Sequence, residues 1–204
     1  SAPGYRSLFA ASQTANFPLV RVGNETYRML TEPASLSADL LSEQLGKVAE
    51  YTSEPAVSTG GIVSNTASAE EPVYAVKGMK GAAVVAKVNG NLPVFQRVSY
   101  SGVAIVGGEG LEDVLLGSAQ VVAMELTDVG VINDQSEAQE LMDVLLTNAQ
   151  YESASESANR SQSLLIWLSN GLTVQMNVGS GTLSACGTWS CPEFFSAYSD
   201  AVSN

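Results

Sequence analysis

The reactive side chains open to this sequence are carboxylates and thiols. Its 204 residues include 21 Asp and Glu, two cysteines and no histidine. Without histidine there is no Ser-His-Asp or Cys-His nucleophile system, no His-bearing zinc site and no histidine pH switch. The cysteines, Cys186 and Cys191, enclose Gly-Thr-Trp-Ser, which is not the C-x-x-C of thioredoxin-like redox sites. Cys186 ends an expected strand, and Cys191 precedes an expected helix opened by Pro192. A sharp bend at Gly187 would bring their Cα atoms within the ~4.4–6.8 Å that a disulfide needs. The expectation is a structural disulfide, Cys186–Cys191, worth about 2 kcal/mol and formed in an oxidising compartment. Two buried free thiols are the alternative.

Other motifs carry less chemistry. Val106-Gly-Gly-Glu-Gly-Leu-Glu-Asp113 lies between an expected strand and helix, where a phosphate loop would lie. Asp113 takes the place of the third glycine of G-x-G-x-x-G. Glu109, Glu112 and Asp113 would repel a phosphate, so the run reads as a tight turn with acids favoured by the helix dipole. Asp128, Asn133, Asp134 and Glu137 lack EF-hand order, and capping accounts for the last two. A carboxylate pair for hydrolysis depends on spatial separation that thirteen crowded acids do not reveal. No S-x-x-K occurs. Trp189, between Gly187 and the last helix, is the aromatic expected to be partly exposed and to serve in recognition, together with Glu109, Glu112 and Asp113. No catalytic residue, metal site or cofactor is assigned.

Charge divides the chain. Residues 1–101 carry eight basic and eight acidic side chains, whereas residues 102–204 carry thirteen acids against Arg160 alone. The whole net charge of −12 therefore lies in the second half. That sign is wrong for a nucleic-acid backbone. It suits a solvated face, a docking face for a basic partner, or a weak site for a hard cation. No apolar run approaches the ~20 residues of a membrane-spanning helix, and no basic n-region leads an apolar run as in a signal peptide. The expected organisation is an arm over 1–17, a mostly-β module over 18–101 and an acidic α+β module over 102–204.

The elements that would position these groups follow from periodicity and turn signals. Expected strands of the first module are Leu19–Val22, Thr26–Leu30, Val48–Thr52, Gly61–Ser64, Pro72–Gly78, Ala82–Val88 and Leu92–Val98, with a helix over Leu36–Leu45 stopped by Gly46. The second module should contain strand Gly102–Val106, helix Leu111–Leu116, strand Val121–Thr127 and a helix over Gln135–Ala149 capped by Asp134 and Glu137. After a polar loop at Ser153–Gln162, Ser163–Ser169 and Leu172–Val178 should form a hairpin through Asn170–Gly171, pairing Ser169 with Leu172 in a type I′ turn. Strand Thr182–Cys186 and helix Pro192–Val202 complete the chain. The fold class is α+β: two small modules, each an antiparallel sheet with one or two packed helices.

Val73-Tyr-Ala-Val-Lys-Gly78 followed by Val84-Val-Ala-Lys-Val-Asn-Gly90 resembles a pattern in secreted or lipid-anchored envelope proteins of Gram-positive bacteria. In that family a Y-A-x-K-G strand precedes an A-V-K-x-[DN]-G hairpin. The helix 134–149 and the hairpin around Asn170–Gly171 are similar to a module that follows in such proteins. The resemblance implies a place outside the cytoplasm, secreted or attached through a lipid anchor upstream of this sequence, and transfers no catalytic residue. The expected function is binding or sensing of an unknown protein or envelope ligand, without enzymatic activity. Two alternatives are an inhibitor-like protein presenting Ser153–Gln162 and Gly187–Ser190 to an extracellular enzyme, and a carboxylate hydrolase with its site between the modules.

Overall fold

A computed structural model describes residues 17–55, 61–100, 103–155 and 162–204. The fold is α+β, with two sheet-containing modules and three packed helices. The first module is a closed barrel of β1 (Leu19–Val22), β2 (Glu25–Met29), β3 (Leu41–Tyr51), β4 (Ile62–Ser64), β5 (Pro72–Val76), β6 (Ala83–Ala86) and β7 (Val94–Val98). Around the barrel the order is β1-β2-β7-β6-β5-β3-β4, closed by antiparallel pairing of β1 with β4. Among the described residues, only β3 and β4 pair in parallel. The second module is an open sheet of β8 (Val121–Leu126), β9 (Gly130–Ile132), β10 (Gln150–Ser153), β11 (Gln162–Leu168), β12 (Thr173–Val178), β13 (Thr182–Ala185) and β14 (Gly187–Ser190), in the order β10-β14-β13-β12-β11-β8-β9. Its helices are α1 (Leu111–Leu115), α2 (Gln135–Asn148) and α3 (Pro192–Ser203).

Alternation along β7 divides its side chains between two cores. Phe95 joins Val20, Tyr27, Val48, Ile62, Val73 and Val84 in the barrel's interior cluster. Val94 and Val98 belong instead to a larger core containing Met124, Ile166, Val174 and the buried stripe of α2 (Ala138, Leu141, Met142, Leu145). The modules also meet through polar groups. Gln96 Nε2 donates to the Gln175 carbonyl at 2.8 Å, and the Gln175 N–H donates to Gln96 Oε1 at 2.9 Å. The Ser99 N–H donates to the Ala185 carbonyl at 2.8 Å.

Burial periodicity and the Asp134 cap position α2 as expected, Asp134 Oδ1 accepting from the Glu137 N–H at 3.0 Å. Among the described residues, no return bond from the Glu137 side chain completes a capping box. The helix expected over Leu36–Leu45 is absent. A short 3-10 turn, Ala38–Leu40, leads directly into β3. Leu36, Leu40, Leu41 and Leu45 imitate a helical stripe, but β3 must pair with β5 on one side and β4 on the other to close the barrel. Of the strand expected over Gly102–Val106, the described residues 103–106 show an isolated bridge, Tyr100 to Val103, and no strand, and Gly102 lies outside the described residues. Strands β9, β10 and β14 are additional. The arm (described only from Phe17) and most of the Ser153–Gln162 tract lie outside the described residues.

The hairpin at Asn170–Gly171 is one residue out from the expected register. Leu168 pairs with Leu172 and Trp167 with Thr173 around a three-residue loop with Gly171 at φ 90°. This is a turn followed by a left-handed glycine, the G1-bulge alternative to a two-residue I′ turn. The shift regroups the faces. Leu164, Ile166, Leu168, Val174 and Met176 now share one face, and Ser163, Leu165, Trp167, Thr173, Gln175 and Asn177 the other.

The second correction concerns the cysteines, which are free and buried, with no disulfide between them. Gly187 does bend the chain, at φ 79°. The bend opens strand β14 antiparallel to β13, with Ala185 opposite Gly187 and Thr182 opposite Ser190. Cys186 thus sits at the apex of a hairpin and Cys191 at its open end, where its N–H donates to the Gly181 carbonyl. Five extended residues hold them about 16 Å apart at ~3.3 Å each, far beyond disulfide reach.

Gly117 ends α1 at φ 60° and lies against the Met79 backbone, where an added Cβ would come within 2.4 Å of the carbonyl carbon. Gly117→Ala combines a left-handed backbone with a collision that no flexible side chain can relieve. Urea denaturation should show a loss of about 3 kcal/mol or more, whereas Gly171→Ala, which meets nothing within 4 Å, should lose only about 1 kcal/mol from its backbone conformation.

Candidate functional site

The strongest side-chain cluster stands at one end of the barrel, and its centre is Arg97. Arg97 shares the inward face of β7 with Phe95 and lies opposite Tyr27 of β2. Its guanidinium is fully buried, so its charge must be matched locally. Glu109 supplies a bidentate partner: Nη1 donates to Oε2 and Nη2 to Oε1, each at 3.0 Å. Nη2 also donates to the Ala104 carbonyl at 2.8 Å. A second carboxylate, Glu25 Oε1, lies 3.6 Å from Nη1. Tyr27 Oη completes the set, 3.1 Å from both Glu25 Oε2 and the Gly81 carbonyl.

Local sequence explains how Glu109 reaches this position. Gly107 (φ 56°) and Gly108 (φ 82°) turn the connector back on itself. The Val106 N–H then donates to Glu109 Oε1 at 2.7 Å. The Gly-rich run therefore serves as a clasp over the barrel end. Asp113 caps α1 by accepting from the Gly110 N–H at 2.9 Å, and lies 3.9 Å from Lys80 Nζ. Glu112 is exposed in the first turn of α1.

Electrostatics follows from these contacts. Burial pushes the Glu109 carboxyl up, but hydrogen bonds from Arg97 and the Val106 N–H, with the arginine's charge, outweigh it and hold the group below its ordinary value. Burial disfavours the Arg97 charge, yet Glu109 and Glu25 hold its pKa above normal. Tyr27 is pushed up, mainly by burial and then by Glu25. The cluster is an ion-paired lock, one buried guanidinium held between two carboxylates.

Trp189 does not join Glu109, Glu112 and Asp113 in an exposed recognition surface. It is 6% exposed. Its Nε1 donates to the Cys186 carbonyl at 2.9 Å, and its ring meets Tyr151 edge-on with centroids 5.1 Å apart. Gly187–Ser190, expected as a presented loop, is the strand β14. The Cys186 thiol, beside Trp189, is pushed up to about 12 by burial despite the nearby Arg97 charge. Among the described residues, no group of three or more acids or cysteines assembles a cation site, so Asp128, Asp134 and Glu137 do not converge.

Sequence reasoning missed Arg97, Glu25 and Tyr27 as a unit. The available signal was an arginine sharing the inward face of the strand Val94-Phe-Gln-Arg-Val98 with Phe95. A second site was also missed, on the helical layer. A groove of about 280 Å³ runs between α2 and α3, lined by Glu137, Glu140, Leu141, Val144, Ala197 and Ala201. It adjoins a second hollow bordered by Glu140, Asp143, Val144 and Thr147. Glu193 and Asp200 add exposed acids on α3. Helices α2 and α3 contain no basic residue.

No protein-family model, curated protein or solved structure matches the chain. The fold and its sites define an α+β protein in which a barrel, locked at one end by a buried arginine, is joined to a sheet whose helical layer is acidic.

Two outcomes follow for solution experiments. Glu109→Ala leaves Arg97 buried beside only the more distant Glu25, and should cost about 3 kcal/mol in urea denaturation. Because Glu109 is depressed in the folded state, its contribution is complete above the unfolded value of 4.5 and is lost as pH falls through the lower folded value. Glu109→Gln should therefore flatten the fall in stability as pH drops below the unfolded value of 4.5. A thiol titration should find no rapidly reacting thiol in the native protein and two after denaturation without reductant, consistent with the free, buried cysteines.

Proposed function

We propose that the protein is a non-enzymatic binding or sensing protein, acting outside the cytoplasm, that engages a basic partner through its helical layer. The observation that carries this is the three-dimensional sorting of acids. Glu25, Glu109 and Asp113 face Arg97 or Lys80, whereas Glu137, Glu140, Asp143, Glu193 and Asp200 lie on two helices without any cation among the described residues. Unmatched like charges favour a partner of opposite sign. The extracytoplasmic location rests on the resemblance at residues 73–90, which form β5, β6 and the following turn.

The test uses fluorescence anisotropy with dye-labelled octalysine. Raising NaCl from 20 to 150 mM shortens the screening length to ~8 Å and should weaken binding markedly. Glu137→Gln, Glu140→Gln and Asp143→Asn together should cost about tenfold, at roughly 0.5 kcal/mol per exposed charge. Neutralising three exposed barrel acids, Glu43, Glu50 and Glu54, should cost less than threefold. Equal losses from the two triple variants, or binding indifferent to salt, would overturn the assignment to the helical layer.

A further inference from the structure

The groove between α2 and α3 specifies its partner more closely than charge alone, and the inference rests on the preceding functional reading. Leu141 and Val144 of α2 face Ala197 and Ala201 of α3 across it. Ala197 and Ala201 are one helical turn apart, so their small side chains leave a recess along α3 instead of filling it. Glu137 and Glu140 border this apolar floor, and Asp143 lies one turn beyond Glu140 along α2. At about 280 Å³ the recess lies below the usual range of small-ligand pockets, ~300–1,000 Å³, and matches one or two aliphatic side chains.

We propose that this groove docks a basic amphipathic helical segment of a partner protein. Aliphatic residues spaced at i, i+3 or i+4 enter the recess, and flanking lysines or arginines meet Glu137, Glu140 and Asp143. Helix-in-groove recognition uses this combination of apolar anchors and peripheral charge. Charge complementarity excludes the competing occupant, a second copy of this chain. Two copies joined at this face would oppose Glu137, Glu140 and Asp143 to the same residues, within molecules of net charge −12.

Three dye-labelled probes separate the groove from general electrostatic attraction: a 14-residue helix with leucines on one face and lysines flanking them, an isomer of the same composition with scattered leucines, and octalysine. The wild-type protein should prefer the amphipathic peptide to its isomer at least tenfold. Ala197→Leu, which fills the recess, should remove that preference and leave octalysine binding unchanged. Circular dichroism confirms that the variant is folded. Glu140→Gln, on the exposed rim, provides an independent check and should weaken all three probes two- to threefold. Equal binding of peptide and isomer, or a preference that survives Ala197→Leu in folded protein, overturns the groove proposal while octalysine binding still supports an acidic docking face. Failure of the α2 triple variant to affect any probe overturns both. A dimer in sedimentation that dissociates on Ala197→Leu overturns the assignment of a basic partner.

Discussion

Arg97 places a charge where water does not reach, and the connector between the modules is arranged around it. A buried guanidinium left without a carboxylate would cost several kcal/mol, so a bidentate acid must arrive with its oxygens already oriented. Glu109 meets that need because Gly107 and Gly108 fold the chain back and the Val106 N–H fixes the carboxylate from its other side. The Ala104 carbonyl takes the remaining Nη2 donor direction. A sequence element that resembles a phosphate loop is thereby committed to an internal anion, its own glutamate. Within the Arg97 guanidinium, Nε has no hydrogen-bond partner among the described residues.

The same strand carries the union of the modules. Arg97 and Phe95 face the barrel interior, whereas Gln96 turns outward and exchanges two hydrogen bonds with the backbone of Gln175 in β12. A primary amide offers a donor and an acceptor side by side, and can satisfy both backbone groups of one strand residue. Ser99 extends this contact to Ala185. Apolar residues on the barrel's outer side, such as Val94 and Val98, belong to one core with Met124 and Ile166 of the open sheet. The two sheets remain distinct in hydrogen bonding but share a hydrophobic interior.

Acids are consequently used in two ways. Near Arg97 they neutralise a charge and hold backbone in place. On α2 and α3 they stay in water, distributed around a shallow apolar recess. Helix α2 needs its apolar stripe for the shared core and Asp134 for its cap, which leaves Glu137, Glu140 and Asp143 free of structural duty as ion-pair partners. Gln139 spans one turn to donate to Asp143 Oδ1, so even this interaction leaves the negative charge in place.

What could be read from the residues alone was whatever local physics decides. The α2 stripe and its Asp134 cap, the start of α3 at Pro192, the strand Leu19–Val22, the start of a strand at Pro72, and the concentration of charge after residue 101 all follow from periodicity, capping and counting. Tertiary structure decided the rest. Leu36–Leu45 has a helical spacing, but closing the barrel required its second half as strand β3. Asn170–Gly171 is compatible with two turns, and packing of Leu164, Ile166, Val174 and Met176 on one face accompanies the bulged register. Cys186 and Cys191 stand close in sequence yet at opposite ends of a hairpin, because the pairing of β14 with β13 extended the chain between them. Glu25, Arg97 and Glu109 show the same limit from the other side. Their separation along the chain carries no record of contact: pairing of β2 with β7 brings Glu25 to Arg97, and the folded-back connector brings Glu109.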